Sequence, residues 1–195
     1  MGKNIFYSNG NISAKDRKNL IGHKGRVFWF FGLSGSGKSA VSRKVEENLI
    51  NSGILSFRLD GDNLRSGLNS DLGFSKEDRY ENIRRAAETA KLLAEAGVVV
   101  LATFITPLIE NRMTCRNILG DFYSGIYVKC SLDTCKKRDP KGLYQKAVLG
   151  EIADFTGVSA PFEEPEEDIY MLDTDALDEA ACAEVVTKHI METIK

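Results

Sequence analysis

Val27-Phe28-Trp29-Phe30-Phe31, followed at once by Gly32-Leu33-Ser34-Gly35-Ser36-Gly37-Lys38-Ser39, is the stretch that decides the fold. Five consecutive apolar residues read as a strand buried on both faces. The next eight satisfy the pattern G-x-x-x-x-G-K-[ST], and Val41, Val45 and Leu49, recurring every four residues, begin an amphipathic helix. Strand, glycine loop and helix in that order make a phosphate cradle. The glycines let successive backbone N–H groups turn inward, and the helix start adds its positive dipole end. Lys38 supplies a mobile cation for the outer phosphates, and Ser39 offers a hydroxyl to Mg²⁺. A glycine-rich turn that binds nothing requires neither the Lys-Ser pair nor both flanking elements.

Outward from the cradle the same syntax continues. A strand is expected over Ile54–Leu59, a long helix from just after Ser75 to near Gly97, and a strand over Val98–Phe104. A helix around Arg112–Leu119, strands at Ile126–Cys130 and Ile169–Leu172, and a C-terminal helix from about Leu177 follow. Apolar strands alternating with helices predict an α/β fold: a parallel sheet with helices on both faces. The whole chain, 1–195, reads as one domain. Residues 1–22, polar and without periodicity, read as a surface arm. Asp139–Glu167, with three of the four prolines and scattered charge, reads as an irregular excursion, and the basic string Lys136-Lys137-Arg138-Asp139-Pro140-Lys141-Gly142 opens it like the lid of a small-molecule kinase. A lid region is expected over 138–168. A solvated helix end accounts for those lysines equally well.

Composition narrows the function classes. With 43% hydrophobic and 28% charged residues, the 195-residue chain is globular and long enough to bury a core without disulfides or structural metal. Lys and Arg number 26 against 28 Asp and Glu, a net charge of -2, so no dedicated surface for nucleic acid or anionic membrane is expected. An anionic ligand must be gripped locally. No apolar run approaches a membrane span, and the four cysteines form no CxxC pair. With no signal-peptide pattern at the start, a cytoplasmic location is expected.

Two further motifs carry chemistry. Leu59-Asp60-Gly61-Asp62-Asn63 puts two carboxylates at a strand end, where ligands gather in open parallel sheets. One carboxylate suits Mg²⁺ and the other an attacking hydroxyl, although either alone also serves as a turn or helix cap. By contrast, Val98–Phe104 ends without an acid and no N-K-x-D motif occurs, which argues against a GTPase switch. The second motif is a cap, Ser75-Lys76-Glu77-Asp78, opening a helix whose buried stripe is Ile83, Ala87, Ala90 and Ala94. Extended backward, that stripe reaches Arg79 and Asn82. With Arg65 leaving the acidic turn, they suit a second, anionic substrate, the alternative being a packing arginine paired to an internal carboxylate. Phe74 and Phe155 are either core or the two sides of a slot for a flat base.

These residues together resemble the adenylyl-sulfate kinase family. The resemblance is carried by Phe31 through Ser39, Asp60-Gly61-Asp62-Asn63, Asp71-Leu72-Gly73-Phe74-Ser75, Asp78-Arg79 and Glu81-Asn82-Ile83-Arg84-Arg85. It continues through Phe104-Ile105-Thr106-Pro107, Arg138-Asp139-Pro140-Lys141-Gly142-Leu143-Tyr144 and Phe155-Thr156-Gly157, spanning roughly residues 10 to 175 in order. It implies a three-layer P-loop kinase fold with a five-stranded parallel sheet and a lid. It also implies transfer of the γ-phosphoryl group of ATP to the 3′-hydroxyl of adenosine 5′-phosphosulfate, with Mg²⁺, in a homodimer, an ATP sulfurylase acting as a separate partner. The resemblance puts Gly32, Leu33, Ser34, Gly35, Ser36, Gly37, Lys38, Ser39 and Arg138 on ATP, and Ser39 and Asp60 on the metal. Asp62, Arg65, Phe74, Arg79, Asn82, Ile105, Thr106, Lys141 and Phe155 fall to the acceptor, with Lys38, Asp60, Asp62 and Thr106 nearest the chemistry. The family's usual Phe-Ile-Ser-Pro stands here as Phe-Ile-Thr-Pro; Thr106 keeps the hydroxyl but adds a methyl and stiffens χ1. Direct in-line transfer, with Thr106 as a positioning or phosphorylatable residue, is the favoured expectation. Another small-molecule P-loop kinase, or an ATP-binding regulatory subunit without turnover, are the alternatives.

Overall fold

The computed structural model describes residues 10–165 and 169–195. The apolar run forms β1 (Arg26–Phe31), the middle strand of a five-stranded parallel sheet in the order β2-β3-β1-β4-β5. The others are β2 (Ser56–Asp60), β3 (Val99–Thr103), β4 (Tyr123–Lys129) and β5 (Tyr170–Asp173). β1 faces both partners in register, Trp29 opposite Ala102 and Phe31 opposite Tyr127. Alternation splits its side chains between two cores. Val27, Trp29 and Phe31 pack under α4 (Lys76–Glu95) and α5 (Ile109–Leu119). Phe28 and Phe30 pack under α2 (Lys38–Asn51) and α8 (Glu179–Thr193). Both faces of the sheet are therefore covered, which is why its strands read as continuous apolar runs rather than as alternating ones.

Topology places the site. From β1 the chain crosses beyond β3 to β2, returns to β3, then crosses β1 to reach β4, so strand order reverses beside β1 and a crevice opens at the carboxyl ends of β1 and β3. Gly32 N–H donates to Ile105 O at 3.2 Å, tying the loop after β1 to the loop after β3. Gly32 is required there: a Cβ would come within 2.5 Å of Val128 O, and its φ is +149°.

The long helix begins as expected, with Ser75 Oγ accepting from Asp78 N–H at 3.1 Å, and Ile83, Ala87, Ala90 and Ala94 are buried. Other boundaries differ from expectation. β2 starts at Ser56 rather than Ile54 and runs on to Asp60, while β5 runs to Asp173. β4 begins at Tyr123, three residues before Ile126, where Tyr123 pairs with Val27 of β1. The arm is not featureless: Ser13 and Asp16 close a capping box over α1 (Ala14–Ile21), which rests Ile21 against Gly97. None of its residues is buried, so periodicity carried no trace of it. The expected irregular segment contains α7 (Leu143–Val148), capped by the Asp139 carboxylate, which accepts from Tyr144 N–H and Gln145 N–H. Residues 1–9 of the expected arm and 166–168 of the expected lid lie outside the described residues.

Candidate active site

At the glycine loop, Gly37, with φ +96°, hands the chain to α2, whose first residue is Lys38. The Lys38 side chain is buried and folds back onto its own loop. Its Nζ donates to Gly32 O at 2.9 Å, Leu33 O at 2.6 Å and Ser36 Oγ at 3.4 Å. Burial pushes its pKa down to about 8. Two groups not anticipated from sequence brace the loop from outside: Tyr144 Oη donates to Ser34 O at 2.9 Å, and Thr174 Oγ1 to Ser36 O at 3.0 Å. Thr174 also receives Arg138, whose guanidinium donates to its carbonyl at 2.7 Å and lies about 4.0 Å from where a Gly37 side chain would begin. The guanidinium thus stands beside the glycine loop. Tyr144 was legible as the end of the Arg-Asp-Pro-Lys-Gly-Leu-Tyr motif; nothing local marked Thr174.

Asp60 joins the cradle to the acidic turn. Its Oδ2 accepts from Ser39 Oγ at 2.8 Å and from Thr103 Oγ1 at 3.0 Å, while its Oδ1 accepts from Asp62 N–H at 3.1 Å. The capping reading is realised: one oxygen caps α3 (Gly61–Arg65), while the other accepts from Ser39. Burial acts to raise this carboxyl, but the Ser39, Asp62 and Thr103 bonds outweigh it and hold its pKa below the ordinary value. Ser39 and Asp60 form an all-oxygen donor pair beside the phosphate cradle, which fits Mg²⁺, a hard cation that takes one or two protein oxygens plus phosphate. Among the described residues no group of three or more His, Cys, Asp or Glu side chains gathers as a metal cage. Asp62 is exposed and forms an ion pair with Lys141, so the 138–168 segment reaches the acidic turn.

The residues expected at a second anion site lie around the start of α4. Arg65 donates to Leu72 O and Gly73 O and lies 4.5 Å over the Phe74 ring; Arg79 Nε donates to Phe74 O at 2.8 Å. Burial and the neighbouring Arg79 lower the Arg65 pKa, a cost of two guanidinium groups sharing one region. Among the described residues neither forms a salt bridge, so Arg79 is not a packing arginine neutralised by an internal carboxylate. Arg84 and Arg85 are different, bound to Glu81 and, for Arg85, to Asp71. Asn82 is buried, one turn along α4 from Arg79, with Asn69 Nδ2 donating to its side-chain oxygen. Phe74 is exposed, whereas Phe155 is buried edge-on against Tyr144 in a third cluster; the two rings make no ring contact with each other.

After β3, Ile105 supplies the carbonyl that holds Gly32, and Thr106 is almost wholly buried with φ +40°. That left-handed backbone is unusual for a β-branched residue. It is held from two sides: Trp29 Nε1 donates to Thr106 Oγ1 at 3.0 Å, and the buried Arg112 donates to Thr106 O and Pro107 O, both at 3.1 Å. Neither Trp29 nor Arg112 was anticipated, because each looks like core or helix surface in sequence. Among the described residues the Thr106 hydroxyl has the Trp29 indole as its hydrogen-bond partner and no general base.

Comparison with known proteins gives one answer. A model of the adenylylsulphate kinase family matches residues 24–173. The chain is 46% identical over 189 residues to the adenylyl-sulfate kinase of Clostridium acetobutylicum, covering 97% of this chain and 94% of that one. To the Staphylococcus epidermidis adenylyl-sulfate kinase it is 51% identical over 172 residues, covering 88% and 86%. Among solved structures, the Mycobacterium tuberculosis APS kinase in complex with AMPPNP and APS superposes with a TM-score of 0.79 at 45% identity, covering 84% of this chain and 96% of that one. With the family model matching residues 24–173 and relatives about half identical over most of its length, the chain belongs to the adenylyl-sulfate kinase family.

Proposed function

We propose that this protein transfers the γ-phosphoryl group of ATP to the 3′-hydroxyl of adenosine 5′-phosphosulfate, releasing ADP and the 3′-phosphorylated product. The observation that carries the reading is the Ser39–Asp60 bond, which joins the donor cradle to the acidic turn, with two arginines that form no salt bridge among the described residues leading away from that turn. The loop of Gly32 to Lys38 seats the triphosphate, and Lys38 exchanges its carbonyl partners for phosphate oxygens. Ser39 and Asp60 hold Mg²⁺, which neutralises charge on the phosphates when bound. Asp60 has both oxygens engaged, so Asp62 is the carboxylate left to orient the acceptor hydroxyl and receive its proton. Lys141 pairs with Asp62 and thereby brings the lid over the reacting groups, which limits water as a competing acceptor. Arg65, Arg79 and Asn82 grip the phosphosulfate, Phe74 and Phe155 flank the adenine, and Ile105 and Thr106 position the acceptor.

A homodimer in the cytoplasm, supplied by a separate ATP sulfurylase, completes the reading; among the described residues no helix is long and apolar enough to cross a membrane. The test is an ADP-coupled assay with Mg²⁺ and ATP, comparing adenosine phosphosulfate with nucleoside monophosphates and sugar acids as acceptors. Turnover restricted to the sulfated nucleotide supports the reading. Preference for any other acceptor overturns it, as does wild-type turnover no greater than that of Lys38→Ala.

A further inference from the structure

Asn69 lies in the turn between α3 and α4, and its side chain is completely buried. Among the described residues its side-chain hydrogen bonds go to Asn82 alone. Its Nδ2 lies 3.0 Å from Asn82 Oδ1 and 3.5 Å from the backbone carbonyl oxygen of Asn82. The second contact settles the orientation of both amides. A backbone carbonyl only accepts, so the end of Asn69 beside it is the nitrogen, and the end of Asn82 facing that nitrogen must be the oxygen. The Asn82 nitrogen is then turned away from the turn. It has no hydrogen-bond partner among the described residues, yet it is not among the buried polar atoms sealed from solvent without one. It is the donor end that remains for a ligand.

The arrangement has a cost that packing alone does not explain. Asn69 Oδ1 is buried without any partner, which an apolar side chain of the same shape would avoid. We infer that Asn69 is a positioning residue that locks the Asn82 amide with its N–H₂ toward the acceptor, so that this edge of the pocket presents only donors to an anionic group. The inference rests on the reading of Asn82 as an acceptor contact. With Arg65 and Arg79 nearby, the locked amide rejects an acceptor lacking negative charge at that point, because its donor would be left unpaired.

Asn69→Asp tests the lock, since a carboxylate only accepts. Asn82 must then turn its nitrogen inward and present oxygen to the acceptor. The expected result is a rise of about tenfold or more in the KM for adenosine phosphosulfate at pH 9, with the KM for ATP within about twofold of wild type. As the pH is lowered toward 6, the buried carboxyl regains its proton, becomes a donor to Asn82, and the acceptor KM recovers relative to wild type. A merely structural defect has no such profile. Asn69→Leu, nearly isosteric and apolar, is the second variant should the aspartate fail to fold. In an Asn82→Ala background either substitution adds less than about twofold to the acceptor KM, because Asn69 acts through Asn82. Equal effects on both substrates, or the full effect persisting without the Asn82 side chain, overturns the assignment of Asn69 alone. Absence of adenosine phosphosulfate turnover by the wild type overturns it together with the functional reading.

Discussion

Lys38 is the residue on which the donor site turns. It is buried on carbonyl oxygens with its pKa lowered to about 8 by desolvation, so near pH 8 about half the molecules carry it neutral. A triphosphate replaces weak carbonyl dipoles with full negative charge and draws the ammonium back. ATP binding near pH 8 is therefore expected to take up about half a proton, measurable as a buffer-dependent enthalpy in titration calorimetry, and the uptake vanishes in Lys38→Ala. Identical enthalpies in buffers of different ionisation heat would contradict it. On the proposed acceptor side, Arg79 forms no salt bridge among the described residues and spends one N–H on Phe74 O. Arg79→Ala is expected to raise the KM for adenosine phosphosulfate about tenfold or more while leaving that for ATP nearly unchanged. An ATP-selective defect would reassign the arginine.

At the scale of elements, α4 shows what a sequence can and cannot carry. Its cap and its stripe were legible because Ser75 and Ile83, Ala87, Ala90 and Ala94 each follow a local rule. The same helix has two arginine classes, which spacing alone did not separate: Arg84 and Arg85 converge on Glu81, whereas Arg79 points to the loop before the helix. The Arg84 and Arg85 hydrogen bonds hold the Glu81 carboxyl at about 2. Because its folded pKa is depressed, its contribution is present above the ordinary glutamate value and is lost as pH falls through about 2. Melting temperature should thus fall less steeply between pH 5 and pH 2 in Glu81→Gln than in wild type; parallel curves would show that the cluster adds nothing to pH-dependent stability. Both α1 and α7 escaped notice because neither has an apolar face long enough to produce a period, and α7 is capped by Asp139 four residues upstream of its start. Thr106 was legible as a departure, but its left-handed backbone and the Trp29 bond depend on a pairing 77 residues apart.

For the molecule as a whole, the site exists because parallel strands bring residues distant in sequence to one edge of the sheet. Ser39 meets Asp60 across 21 residues, Lys141 meets Asp62 across 79, and Tyr144 meets Ser34 across 110. The glycine loop and acidic turn could be placed there from sequence, since the strand-end rule applies to any open α/β sheet. The braces could not, because Thr174 and Tyr144 become neighbours of the loop only after β5 and α7 have docked. The central claim is that donor and acceptor occupy adjoining parts of this crevice and exchange a phosphoryl group directly. Its most direct measurement follows γ-labelled phosphate from ATP in the presence of Mg²⁺ and adenosine phosphosulfate. The account predicts that the label appears on the 3′-oxygen of the sulfated nucleotide, with none transferred by Lys38→Ala; label found only as inorganic phosphate, or on any other position, would contradict it.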